Sequence, residues 1–273
     1  MELSFHNIDK FCAGINLTES PAVVDLSAYT FFKPFALVYL GQFLRFHNTK
    51  GIKFDFKLPE DLLIKNYLDQ QRFWLRFNCN PETTPKERFN YLNANTALND
   101  IIDIDNRPNI VEDAADNVLR ILVNSMVKID HPTIVEIVSE LVDNFTQHAE
   151  SSLATLVLQY YPERHEIAIA VGDGGIGIRA SLCKNLKYEY LAVIPHYEAV
   201  LKAFEPLVSR VDERGMGLTY LREQVIKAKG QILLATGDGF VKMTRHRTEM
   251  GTMGYNLGGV QVEVVLPEEG WEI

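Results

Sequence analysis

Gly172-Asp173-Gly174-Gly175-Ile176-Gly177 directly follows the apolar run Glu166 to Val171 (EIAIAV). Glycines this dense at a strand end mark a backbone that turns tightly or lets something approach closely. Two spacings compete. Gly172, Gly174 and Gly177 spell G-x-G-x-x-G, the dinucleotide fingerprint. Asp173, Gly175 and Gly177 spell D-x-G-x-G. The first reading needs an early strand–helix–strand unit and an acid about twenty residues on, closing a second strand. Glu189 is nearby, but Lys184 to Leu191 is no obvious strand. A strand and two helices precede the cluster, which is the wrong order for that motif. A plain tight turn is the bland alternative.

Upstream, Asn109 to Val127 is apolar at helical spacing, and His131-Pro132-Thr133 opens a second helix reaching Ala149. Ala154 to Tyr161 and Glu166 to Val171 read as strands. The second helix has two faces. Ile134, Val138, Leu141, Val142, Phe145 and Ala149 form one; Glu136, Glu140, Asp143, Asn144, Gln147 and His148 form the other. A solvated polar face is the ordinary reading of such a helix. Here that face holds carboxylates and amides but no lysine, so ion pairs four residues apart do not account for it. Glu140 and Asn144 stand one turn apart, and a carboxylate beside an amide oxygen suits a hard cation and a polarised water.

Downstream, Ile178 to Arg214 is a long irregular segment. Arg214-Gly215-Met216-Gly217-Leu218 then opens a helix to Lys229. Glycines at a helix start let phosphate oxygens reach the free N–H groups. Gln231 to Thr236 and Val260 to Leu266 are strand candidates, and the basic stretch Met243 to Met250 fits a hairpin or a loop. Lys242, Arg245, His246 and Arg247 there read as a solvated loop or a contact for an acidic partner. This half predicts helices on one face of a mostly antiparallel sheet. The earlier half reads strand, helix, strand, helix: Pro21 to Ser27, Phe35 to Phe46, Ile52 to Leu58, then Pro59 to Leu68. Cys79 to Pro85 is a loop, and a connecting region runs to about Pro108.

Composition bounds the function. The chain has 273 residues, 47% of them hydrophobic, enough for a packed core. No stretch reaches the roughly 18 apolar residues of a membrane span, and Met1 to Lys10 lacks a signal-peptide pattern. Cys12, Cys79 and Cys183 are scattered and odd in number, which predicts a cytoplasmic protein without a disulfide framework. The net charge of −9 speaks against direct nucleic-acid binding as the main task. Residues 1–105 carry 11 basic and 13 acidic side chains, residues 106–273 carry 16 and 23, so most of the excess lies in the second part.

Taken in order, three segments resemble the boxes of the GHKL, or Bergerat-fold, ATPases. They are Glu140-Leu141-Val142-Asp143-Asn144-Phe145-Thr146-Gln147-His148, then Asp173-Gly174-Gly175-Ile176-Gly177, then Gly215-Met216-Gly217-Leu218. The resemblance covers roughly residues 108–268 and implies an α/β sandwich binding ATP and Mg²⁺. It implies that Asp173 accepts from the adenine amino group and that Asn144 gives its side-chain oxygen to Mg²⁺. Gly175 and Gly177 would begin a nucleotide lid over Ile178 to Arg214, with Arg210 and Arg214 as phosphate contacts. Gly215, Gly217 and Leu218 would close it. Glu140 would serve the attacking water of an ATPase or the acceptor hydroxyl of a serine kinase. None of the seven histidines sits in a phosphoacceptor motif, which disfavours a self-phosphorylating kinase.

One departure from the family stands out. Its last strand often starts with Gly-Thr, the threonine helping to fix adenine; here Gly258-Gly259 precede Val260, and Gly251-Thr252 is the nearest substitute.

Residues 1–105 are similar, more faintly, to a STAS domain through Val23 to Ser27 and Phe31 to Leu37. That family's phosphorylatable serine would fall near Pro34-Phe35, where no hydroxyl exists. The whole is expected to be a two-domain α/β protein, divided at 105/106. It would be a regulatory ATPase or serine-kinase-like switch acting through a protein partner, with a homodimer allowed. A nucleotide-binding interaction module without turnover is the alternative, and a dinucleotide-dependent oxidoreductase a distant third.

Overall fold

The computed structural model describes residues 1–70, 73–77, 99–125, 128–210 and 216–268. The expected loop Cys79 to Pro85 and the residues Arg214 and Gly215 lie outside them. In chain order the N-terminal elements are β1 (Glu2–Leu3), α1 (Ile8–Ala13), β2 (Ala22–Asp25), β3 (Phe31–Phe32), α2 (Pro34–Thr49), β4 (Phe54–Lys57), α3 (Leu62–Gln70) and α4 (Phe73–Arg76). Then come β5 (Asn99–Asp105), α5 (Ile110–Ser125), α6 (His131–His148), β6 (Leu153–Tyr161) and β7 (Glu166–Asp173). The expected irregular segment holds α7 (Gly177–Leu182), a 3-10 helix (Leu186–Val193) and α8 (His196–Ala203). The chain closes with α9 (Gly217–Lys227), β8 (Gln231–Thr244) and β9 (Thr248–Pro267).

Five strands form one antiparallel sheet in the order β5-β6-β7-β9-β8. That order removes the dinucleotide reading, because β7 has antiparallel neighbours on both sides rather than a parallel crossover partner. It also moves the expected division at 105/106. Residues 99–105 pair along β6, from Asn99 with Gln159 to Asp105 with Leu153, so they belong to the second part's sheet. Met243 to Met250 proves to be the tip of a long hairpin, closed where the Thr244 N–H donates to the Arg247 carbonyl at 2.9 Å.

The sheet is covered on both faces, not one. Leu156, Leu158, Ile169 and Val264 face a core built with α5, α6 and α9. Val157, Ala170, Leu233 and Ala235 face a second core with Phe35, Val38 and Leu40 of α2 and with α1. The cause is legible in β6 and β7, which are buried along almost their whole length. Strands apolar on both sides need two covering layers. α2 is the centre of the second layer, with every side chain from Pro34 to Leu44 buried. The sheet's back is therefore not free of the N-terminal elements; the two parts share a core. Alongside α2 run two short parallel pairs, β1 with β3 and β2 with β4.

One charge sits in that shared core. Glu263 of β9 accepts a hydrogen bond from the Phe35 N–H at 3.1 Å, in the first turn of α2. Burial pushes its carboxyl up to about 7, against the lowering effect of that N–H and of nearby Lys33. A folded-state carboxyl raised this way holds its proton better than in the unfolded chain. This group's contribution to stability is then full at low pH and is lost as pH rises from about 4.5 to about 7. Glu263→Gln is expected to remove this group's share of any decline and to stabilise the fold above pH 7 by on the order of 2–3 kcal/mol. Thermal melts between pH 5.5 and 8.5 check this; a variant melting no higher than wild type at pH 8 contradicts it.

Candidate functional site

α6 positions most of the polar side chains. Its apolar stripe, Ile134, Ile137, Val138, Leu141, Val142 and Phe145, is buried against the sheet. The other face therefore turns toward the segment between β7 and α9. Between them lies a cavity of about 400 Å³ lined by Glu140, Asp143, Asn144, Gln147 and His148. Asp173, Gly177, Arg210, Gly217 and Leu218 line it as well. Of the six polar residues expected on this face, Glu136 is the one turned elsewhere: its carboxylate accepts the Tyr220 hydroxyl of α9. The volume falls within the range of ordinary ligand pockets.

Asp173 forms the closed end. It is 4% exposed. Its carboxylate accepts the Gly175 N–H at 2.7 Å and also the Val260 N–H. Burial outweighs these two donors and raises its carboxyl to about 6. Around it the walls are apolar, including Val171, Ile178, Leu234, Val260 and Val262. A buried acceptor in an apolar slot selects a flat ligand carrying a donor at that point.

Glu140 and Asn144 mark the other end. Asn144 Nδ2 donates to Glu140 Oε1 at 2.5 Å and to the Glu140 carbonyl at 2.7 Å. Desolvation raises the Glu140 carboxyl above its usual range, with Asp143 adding to the rise. Glu140 faces the first residue of α9: a Cβ placed on Gly217 would lie 1.7 Å from Glu140 Oε1. A methyl group there would displace the Glu140 carboxylate. Gly177 is needed for conformation, at φ 75°, and Gly175 because a Cβ would lie 2.0 Å from the Ala149 carbonyl oxygen. Arg210 reaches back from the end of the intervening segment, donating to Glu150 Oε1 at 2.8 Å and to the Gln147 carbonyl.

The residues fit Mg²⁺ by their chemistry. Glu140, Asp143 and Asn144 offer oxygen atoms at one end of the cavity, and Mg²⁺ takes one or two such side chains together with phosphates. Among the described residues no three His, Cys, Asp or Glu side chains converge on a metal position by themselves.

After Gly258-Gly259, where the threonine was expected, Val260 lines the cavity and brings no hydroxyl. Thr252 does not substitute; it is exposed on the hairpin, opposite Gly239. The nearest buried hydroxyl in the neighbouring strand, Thr236, is committed elsewhere. It donates to the Gly259 carbonyl at 2.8 Å and accepts the Ile178 N–H at 3.3 Å, anchoring the start of α7. Sequence reasoning missed Gln261, whose side chain donates to the Asp173 carbonyl at 3.0 Å. Its place in the alternation of β9 marks a polar residue on a buried face, the one signal available.

Among the described residues no helix is long and apolar enough to cross a membrane. The Sensor histidine kinase AtsR of Burkholderia thailandensis is 28% identical over 109 residues, covering 39% of this chain and 16% of that protein. The chain thus corresponds to about a sixth of that relative's length. The model of the family described as Histidine kinase-, DNA gyrase B-, and HSP90-like ATPase matches residues 129–270, from the start of α6 through the end of β9. That match takes in more than half of the chain, and the chain belongs to this ATPase family.

Proposed function

We propose that the cavity binds ATP with Mg²⁺ and that the protein is a regulatory ATPase or serine-kinase-like switch acting through a partner protein. The observation that carries this reading is the polarity of the cavity. A buried acceptor, Asp173, closes an apolar slot, and Glu140, Asn144 and the start of α9 stand at the far end. In this reading Asp173 accepts from the adenine amino group, which guanine, with a carbonyl there, does not supply. The slot's valines sandwich the base. Gly217 and Leu218 offer N–H groups to the phosphates at the positive end of α9. Arg210 and Arg214 would add positive charge from the lid, and Gly215 its hinge. Asn144 would hold Mg²⁺ through its side-chain oxygen, and the ion would neutralise phosphate charge when bound. Glu140, with its raised carboxyl, would accept a proton from the water or hydroxyl that attacks. The N-terminal elements β1 to α4, read as STAS-like, would report nucleotide state to the partner.

The departure at Gly258-Gly259 favours a second reading, a nucleotide-holding interaction module without turnover, because the base would lack the threonine's hydroxyl contact. Phosphate release separates the two. Glu140→Gln is expected to lower turnover by at least about a hundredfold while ATP affinity changes by less than about threefold. Equal, near-zero rates in wild type and variant would favour the module.

A further inference from the structure

Asp173 stands where its strand loses a partner. The last β7–β9 pair joins Gly172 to Gln261. Beyond it β9 departs through Gly259, at φ 81°. Backbone carbonyls at such an end need other donors. Two glutamine side chains supply them. Gln261 serves the Asp173 carbonyl at 3.0 Å and the Gly258 carbonyl at 3.1 Å. Gln42 Nε2, from α2 on the back of the sheet, donates to the Gly172 carbonyl at 2.7 Å.

Gln42 is 1% exposed and is itself held. Arg45 Nη1 donates to its Oε1 at 3.3 Å. Arg45 also donates to the Arg76 carbonyl at 2.9 Å and lies over the Phe77 ring at 4.8 Å. A Cβ on Gly172 would come within 2.8 Å of Val38 Cβ, so α2 seats directly on this strand end. Gln42 lies far outside the residues matched by the family. A buried amide with both ends engaged fixes a geometry, and the atom it fixes is one residue from Asp173.

We propose that Gln42 is a positioning residue for the base-binding end of the cavity, setting the height of the Asp173 carboxylate. This rests on the adenine-nucleotide reading above. The N-terminal layer is then part of the nucleotide site although it touches no ligand. By linkage, a nucleotide drawing Asp173 into place tightens the seat of α2.

The test uses the full chain with Gln42→Met, which keeps the volume and removes the donor. Affinities for ATP and for inorganic tripolyphosphate are measured with Mg²⁺ between pH 5.5 and 7.5. ATP binding is expected to weaken about five- to tenfold and the pH midpoint of ATP affinity to move, with tripolyphosphate affinity unchanged. Arg45→Met, which leaves the donor but frees the amide, is expected to give a smaller change in the same direction. It also serves if Gln42→Met does not fold. Unchanged ATP affinity in the folded variants, or an equal loss for both ligands, overturns the proposal. Wild type that binds tripolyphosphate but not ATP overturns the adenine reading instead.

Discussion

Asp173→Asn is expected to weaken ATP binding by about two orders of magnitude. In wild type the carboxylate accepts two backbone N–H groups, from Gly175 and Val260, and retains acceptor capacity toward the cavity. An asparagine has one oxygen. If that oxygen keeps the Gly175 N–H, its amide NH₂ points at the base amino group and two donors meet in an apolar slot. A mispaired buried donor costs roughly 2–4 kcal/mol, or about 30- to 1,000-fold in affinity. The same geometry fixes a pH dependence. Burial holds the Asp173 carboxyl near 6, so below that pH it carries a proton and turns from acceptor to donor. ATP affinity should rise with pH through about 6 and then level off, and binding near pH 6 should release a proton. Calorimetry at pH 5.5, 6.5 and 7.5 checks both, with tripolyphosphate as control for the titration of the phosphates. The asparagine variant should lack the base-linked part of the rise.

Gly259→Ala is expected to be the most damaging single methyl group in the site. Gly259 has φ 81°, which costs an L-residue about 1–2 kcal/mol. Its Cβ would also lie 2.0 Å from the Asp173 carbonyl oxygen and 2.8 Å from Asp173 Oδ1. Backbone cannot yield as a side-chain tip can, so the total should exceed roughly 3 kcal/mol and lower the melting temperature by about 5 °C or more. The control is Gly51→Ala, with φ 82° and nothing within 4 Å of the added carbon. It should cost only the conformational part and leave ATP binding intact. Equal losses in the two variants would contradict the close packing of Gly259 against Asp173.

The helix carrying Glu140 was the most legible element. Its two faces follow directly from 3.6-residue spacing, and five of its six polar residues do line the cavity. The strand before Asp173 was equally plain. What it meant was only half read: Ile167 to Val171 is apolar at successive positions rather than alternating, and such a run requires cover on both faces. The second cover is α2, more than a hundred residues earlier, and no local pattern announces a contact across that distance. The near-continuous apolar surface of Phe35 to Phe46 was the complementary sign, since a helix buried all round must sit at the centre of something. A hairpin at Met243 to Met250 was one of two readings, but the length of its arms escaped because Gly237, Gly239, Gly251, Gly254 and Gly258 give them the composition of loops. Some of those glycines are there for contact: a Cβ on Gly239 would meet the Tyr197 nitrogen at 2.4 Å, so α8 packs on the strand backbone. Gln42 and Gln261 belong to no motif, and only their geometry identifies them.

In the proposed reading, Asp173 and the α6 carboxylate–amide pair bracket one adenine nucleotide. Equilibrium titration of the full wild-type chain with ATP, with and without Mg²⁺, at pH 7.5, tests it most directly. The expected result is saturation at one ATP per chain, tighter with Mg²⁺, with GTP binding much more weakly. A titration that does not saturate, or one in which GTP competes equally with ATP, would contradict the claim.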